Sequence, residues 1–196
     1  MFSGPSGSGK GTLLRNFRKK RGDSVYYSVS CTTRAPRYNE RDGIDYYFVD
    51  RERFEQEIAD DNLLEWAEYC LNYYGTLKAP VLQKLEQGID VILEIEVQGA
   101  CQVKKHMPEA VMIFNMAPSL DILEKRLLRR ATEDGEVIRS RLCEAAEEIQ
   151  YVNGYDYVII NNRLEDAAGD LEAIIRAEKC KTSRNSEFIK GVQNNA

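Results

Sequence analysis

Apolar positions recur along this chain with two periods, and the alternation between them predicts the layout. Leu13, Leu14 and Phe17 follow Lys10 at helical spacing, predicting a helix that ends near Gly22. The basic run Arg18 to Arg21 closes it, where cations favour the negative end of a helix dipole. Val25 to Ser30 reads as a strand, and so does Ile44 to Val49 behind an Asp42-Gly43 turn. Arg51 to Ala59 is a short helix, Leu64 to Tyr69 a strand, and Pro80 to Glu86 a helix ending at Gly88. Asp90 to Val97 has the composition of a buried parallel strand that ends in carboxylates. A short helix over 99–106 leads to a second such strand, Ala110 to Met116. Ser119 is placed to cap a long helix through Arg130, and after a polar break another helix runs to about Tyr151. Tyr157 to Asn161 is the last strand and Leu164 to about Cys180 the last helix. Residues 181–196 are polar and aperiodic, which predicts a frayed tail.

Strands alternating with helices predict an α/β fold, a mostly parallel sheet covered on both faces. A length of 196 residues suits one compact domain carrying small inserted subdomains. The net charge of −5 argues against broad attraction to nucleic acid, so an anion site must be a local cluster of cations. No apolar run reaches the ~18 residues of a membrane span, and no secretory leader precedes the first motif. The five cysteines form no C-x-x-C pair and read as reduced thiols, so the expected compartment is the cytoplasm. His106 lies outside any motif and reads as structural or exposed, and the pattern leaves the oligomeric state open.

The densest chemistry lies at Gly4-Pro5-Ser6-Gly7-Ser8-Gly9-Lys10-Gly11-Thr12. A glycine, four residues and Gly9-Lys10 form the skeleton of a phosphate-binding loop. Its glycines let main-chain amides turn inward on a polyphosphate, Lys10 adds a charge for the β and γ phosphates, and the next helix presents its positive end. The usual hydroxyl residue directly after the lysine is Gly11, with Thr12 following, a variant that looks like the form used by small nucleotide kinases. Such a loop leaves the end of a buried strand, yet only Met1 and Phe2 precede Ser3. The expectation is that the natural protein begins several residues upstream.

A second cluster runs Ser28-Val29-Ser30-Cys31-Thr32-Thr33-Arg34-Ala35-Pro36-Arg37, followed by Glu40, Gly43 and Asp45-Tyr46-Tyr47-Phe48. With Glu65-Trp66 and Asn72 to Thr76, it resembles the guanylate kinases, which phosphorylate GMP with ATP, over nearly the whole chain. The resemblance implies a P-loop kinase domain over 1–180: a core of 1–30, 77–125 and 152–180, a GMP-binding insertion over 31–76, a helical lid over 126–151, and a polar tail over 181–196. It implies that Arg34, Arg37, Tyr46 and Tyr74 hold the GMP phosphate. Two arginines three positions apart beside a proline-restricted turn can grip a dianion by charge-assisted bonds, and the phenols add neutral donors. Glu65, an acceptor-only group, suits the adjacent N1–H and N2 amine of guanine and would meet an unprotonated N1 in adenine. Ser30 and Thr76 match the family's other base-side contacts, Thr76 standing where serine is frequent.

Glu94 and Glu96 sit at i and i+2, on one face of a strand, where the family commonly has Asp-x-Asp near Mg²⁺ and the acceptor. The resemblance assigns them to Mg²⁺ through water, with Glu96 also on the GMP side. Arg126 and Arg130, four apart on one helix face, with Arg141, match the lid arginines that reach the transferring phosphate. Ala131 replaces a glycine at the lid entrance. Asn161-Asn162 matches an adenine-side Asn-Asp, departing at its second position, so ATP is expected to contact the loop residues 4–12, Arg130 and Asn161. The implied activity is phosphoryl transfer from ATP to GMP, and to dGMP, in purine nucleotide recycling. Two other readings stand beside it: a scaffold-type phosphopeptide-binding module, and a kinase for a different phosphorylated small molecule.

Overall fold

A computed structural model of the chain describes residues 1–69, 71–129 and 135–195. Its centre is parallel. Strand β1 (Phe2–Ser3) pairs with β8 (Ile113–Met116), and β8 pairs with β9 (Tyr157–Ile160). On the other side β2 (Val25–Tyr27) pairs with β7 (Asp90–Ile92). A parallel bridge between Phe2 and Glu94 joins the two halves, giving the order β2-β7-β1-β8-β9. Helices α1 (Lys10–Arg21), α4 (Val97–His106) and α7 (Leu164–Lys179) pack on this sheet, as parallel strands require. Phe2, Leu13, Phe17, Ile159 and Leu171 form one buried cluster, and Leu64, Val81, Leu93, Ala100 and Val103 another. The basic end of α1 serves packing: Arg21 pairs with Glu172 of α7 and Arg18 lies over the Tyr27 ring.

A separate mixed sheet projects from the centre, in the order β4 (Tyr47–Phe48), β3 (Cys31–Thr32), β6 (Asn72–Leu77), β5 (Leu63–Tyr69). Helix α2 (Arg51–Ala59) packs on it through the fully buried Phe54. The strand expected over 25–30 therefore divides: the chain leaves the main sheet after Tyr27 and enters the second sheet at Cys31. Strand β6 was not foreseen; it pairs antiparallel with both β3 and β5. Helix α3 (Lys78–Glu86) returns the chain to the centre.

Helix α5 (Leu120–Leu128) is capped by Ser119, whose Oγ accepts from the Ile122 amide at 3.2 Å. Helix α6 (Gly135–Gln150) packs against it around Leu123, Leu127, Ile138 and Ala145. The expected tail holds a last helix, α8 (Ser186–Asn194). Polar residues conceal a local repeat there, Phe188 and Val192 at i and i+4 with a Glu187–Lys190 pair at 3.0 Å, and Asn185 donates to the Lys179 and Lys181 carbonyls. The four described cysteines are free, and no helix among the described residues is long and apolar enough to cross a membrane.

Candidate active site

The phosphate-loop motif lies between β1 and α1. A Cβ at Gly4, where φ is +139°, would collide with the Asn115 carbonyl, and Gly9 caps α1 in the left-handed region at φ 92°. Three donors converge on the Ser8 carbonyl: Asn115 Nδ2 at 3.0 Å, Asn161 Nδ2 at 3.2 Å and Arg126 Nη1 at 3.2 Å. Ser8 is fully buried, and its Oγ also accepts from Asn115 Nδ2 at 3.0 Å. The loop is thus fastened from β8, from the end of β9 and from α5 at once. Lys10 Nζ donates to the Gly4 and Pro5 carbonyls. Ser6 and Thr12 face solvent, while Pro5 and Gly7 are buried beneath them.

Arg126 is engaged with the loop and with the end of β9. Its guanidinium spans Ser8 and Asn161, donating to the Asn161 carbonyl at 2.7 Å, and burial lowers its pKa. Helix α5 spans Leu120–Leu128, and the expected i, i+4 face shared with Arg130 reaches beyond it. Arg130 itself lies outside the described residues. Arg141 is half-buried on α6. Asn161, expected on the adenine side, is buried and aims its amide at the loop.

The second sheet carries the other cluster. Arg34 lies over the Tyr46 ring at 5.5 Å, and Tyr46 meets Tyr74 edge-on with ring centres 6.2 Å apart. Glu40 couples the two arginine positions: Oε1 accepts from Arg34 Nη2 at 3.0 Å and Oε2 from the Arg37 amide at 2.8 Å. The Arg37 amide, and then Arg34, hold the Glu40 carboxyl below its ordinary range. The Arg37 side chain is exposed. Ser30 is half-buried, and its carbonyl accepts from the Tyr47 amide at 2.9 Å.

Glu65 on β5 is buried at 7% exposure, and its Oε1 accepts from Thr76 Oγ1 of β6 at 2.6 Å. Burial pushes its pKa up to about 7; Thr76 opposes the rise and the nearby Glu96 adds to it. Glu94 and Glu96 are exposed while Leu93, Ile95 and Val97 are buried, so both carboxylates do share one face. Regular pairing stops at Ile92, and Glu96 already caps α4, so the predicted strand is shorter than its apolar pattern. Glu94 lies against the loop helix: a methyl on Gly11 would sit 3.6 Å from its Oε1. Although its side chain reaches solvent, partial desolvation by the surrounding protein raises its pKa, against the pull of Lys10 and Arg15.

Three contributors escaped the sequence reading. Asn115 is fully buried inside an apolar run, and that misplaced amide was the available signal. Glu40 stood within the quoted motif without a role. Glu148 on α6 has an enclosed Oε2 without a hydrogen-bond partner; burial raises its pKa, with Lys10 opposing and Glu96 adding. Nothing in its helical spacing singled it out.

The guanylate kinase family model matches residues 1–178. The guanylate kinase of Desulfitobacterium hafniense is 50% identical over 192 residues, covering 98% of this chain and 96% of that protein. The chain belongs to the guanylate kinase family. The guanylate kinase of Carboxydothermus hydrogenoformans is 52% identical over 184 residues, 94% of this chain and 90% of that relative. The crystal structure of guanylate kinase from Anaplasma phagocytophilum superimposes with a TM-score of 0.75 at 36% identity, covering 93% of this chain and 86% of the other. The activity is that of a guanylate kinase, ATP-dependent phosphorylation of GMP, and the fold is that of the P-loop kinases.

Proposed function

We propose that the loop at residues 4–12 takes the donor triphosphate, and that the second sheet takes GMP end-on to it. The observation that supports this most is the position of Glu94, beside Gly11 of the loop helix and within electrostatic reach of both Lys10 and the Tyr46 phenol. One carboxylate therefore borders both ends of the cleft. Inward amides and Lys10 bind the β and γ phosphates. Arg34, Arg37, Tyr46 and Tyr74 bind the acceptor phosphate, with Glu40 orienting Arg34 and the Arg37 backbone. Glu65, fixed by Thr76, accepts from guanine N1–H and N2–H, and Ser30 completes the base side.

The acceptor phosphate is largely a dianion at neutral pH, since its second pKa is near ~6, so no general base is needed. The remaining task is to hold two repelling anions in line and to stabilise charge on the transferring group. Lys10 does this from the loop, and Arg130 and Arg141 do it from the lid. Arg126 positions the loop by fixing Ser8 and Asn161. The residues suit Mg²⁺: two exposed carboxylates on one face, Glu94 and Glu96, the first beside the loop helix, match an ion that takes one or two carboxylates plus phosphate oxygens. When bound, Mg²⁺ supplies neutralisation of phosphate charge.

ADP formation from ATP with GMP, dGMP, AMP, CMP or UMP tests this reading. GMP and dGMP are expected to support turnover, and AMP, CMP and UMP are not. Comparable turnover with AMP would contradict the assignment of Glu65.

A further inference from the structure

Helix α4 carries a glycine in its first turn that its backbone does not require. Gly99 is the third residue of the helix and lies outside the positive-φ glycines, so an alanine would fit the main chain. In a helix interior glycine costs about 1 kcal/mol relative to alanine. The Glu65 side chain comes nearest to the space above its Cα. A Cβ built at Gly99 would lie 2.5 Å from Glu65 Oε2, 3.1 Å from Cδ and 3.4 Å from Cγ. The outer half of Glu65 therefore lies flat against a bare Cα, while its other oxygen is held by Thr76 at 2.6 Å.

The two backbones are held together, so the carboxylate arm is what must yield. Gln102, one turn along α4, makes a reciprocal pair with the Trp66 backbone next to Glu65: the Trp66 amide donates to Oε1 at 3.2 Å, and Nε2 donates to the Trp66 carbonyl at 2.9 Å. That clamp fixes the distance between α4 and β5. Gly75 of β6 is a useful contrast. A Cβ there would lie 2.8 Å from the Glu65 carbonyl oxygen and 3.1 Å from Phe54 Cζ, so its crowding comes partly from main chain and core. At Gly99 the three nearest atoms all belong to the carboxylate arm.

We propose that Gly99 is a specificity-determining positioning residue, whose missing side chain sets where the Glu65 carboxylate stands and so how well it reads guanine. The inference rests on Glu65 being the guanine acceptor. A methyl at position 99 pushes Oε2 by roughly 1 Å to reach ordinary contact, which misaligns a paired acceptor. The helix itself gains.

The test is a mutant cycle of Gly99→Ala and Glu65→Ala, reading thermal midpoint, KM for ATP, and KM and kcat for GMP. G99A is expected to keep or raise the midpoint, leave KM for ATP unchanged, and raise KM for GMP by about 10-fold to 100-fold, equivalent to about 1.4–3 kcal/mol. In the E65A background the same change at 99 is expected to add no further loss. Normal GMP kinetics in G99A, with E65A impaired, overturn this inference alone. Equal losses on the ATP and GMP sides, or a full additional loss in E65A, overturn it as well by making position 99 merely structural. Normal GMP kinetics in E65A overturn the Glu65 reading and the inference with it.

Discussion

Arg126 and Asn161 are joined at 2.7 Å, guanidinium to backbone carbonyl, and both also donate to the Ser8 carbonyl. The end of β9, helix α5 and the phosphate loop are thereby tied at one point. Arg126→Ala removes two charge-assisted bonds from main-chain acceptors that stay buried. The expected result is a rise in KM for ATP of about 10-fold or more and a lower thermal midpoint, with GMP affinity in calorimetry unchanged. A purely kcat effect at normal stability would instead mean that Arg126 meets the transferring phosphate.

Lys10 is the loop's own cation. Lys10→Ala is expected to lower kcat by ~10²–10³ while GMP binds with its normal affinity, because the lost charge serves the donor and the transition state. Retained kcat would remove Lys10 from the mechanism.

The contrast between these two residues shows what was readable in the sequence. Lys10 sits in a contiguous motif whose spacing carries its chemistry. Arg126 took its expected role from a family motif and its helical spacing, and neither signals its tertiary contacts with Ser8 and Asn161. The same limit applies to the fold. Helix α2 matches its prediction, Arg51–Ala59, because the Asp50 cap and Phe54 fix it locally. A split strand at Tyr27 and the pairing of β6 depend on which sheet the chain enters, and apolar alternation does not encode that. Asn115 and Glu148 act across long sequence separations, which no local pattern signals.

Glu65 gives a pH signature with a definite sign. Its folded pKa, about 7, lies above the ordinary 4.5, so the fold favours the protonated form. Its relative contribution to stability is full below 4.5 and is lost as pH rises through about 7. The loss is on the order of 3 kcal/mol. Guanine needs the opposite form, the carboxylate, so KM for GMP should fall as pH rises through the same window. Glu65→Gln should flatten both trends and melt above the native protein at pH ~8. Parallel melting curves for the two proteins across that range would refute the shift.

Glu94 borders the loop helix and is exposed. Glu94→Gln is expected to raise the Mg²⁺ concentration for half-maximal rate by several-fold, on the order of one lost carboxylate contact, while metal-free GMP binding is unchanged. An unaltered Mg²⁺ titration would assign Glu94 to acceptor positioning instead.

The most direct test compares kcat/KM for GMP with that for AMP, in the native protein and in Glu65→Gln, at one pH above 7.5. A buried carboxylate that reads guanine predicts a preference of ~10⁴ or more for GMP, most of which disappears in the variant. An undiminished preference in Glu65→Gln would contradict the account at its centre.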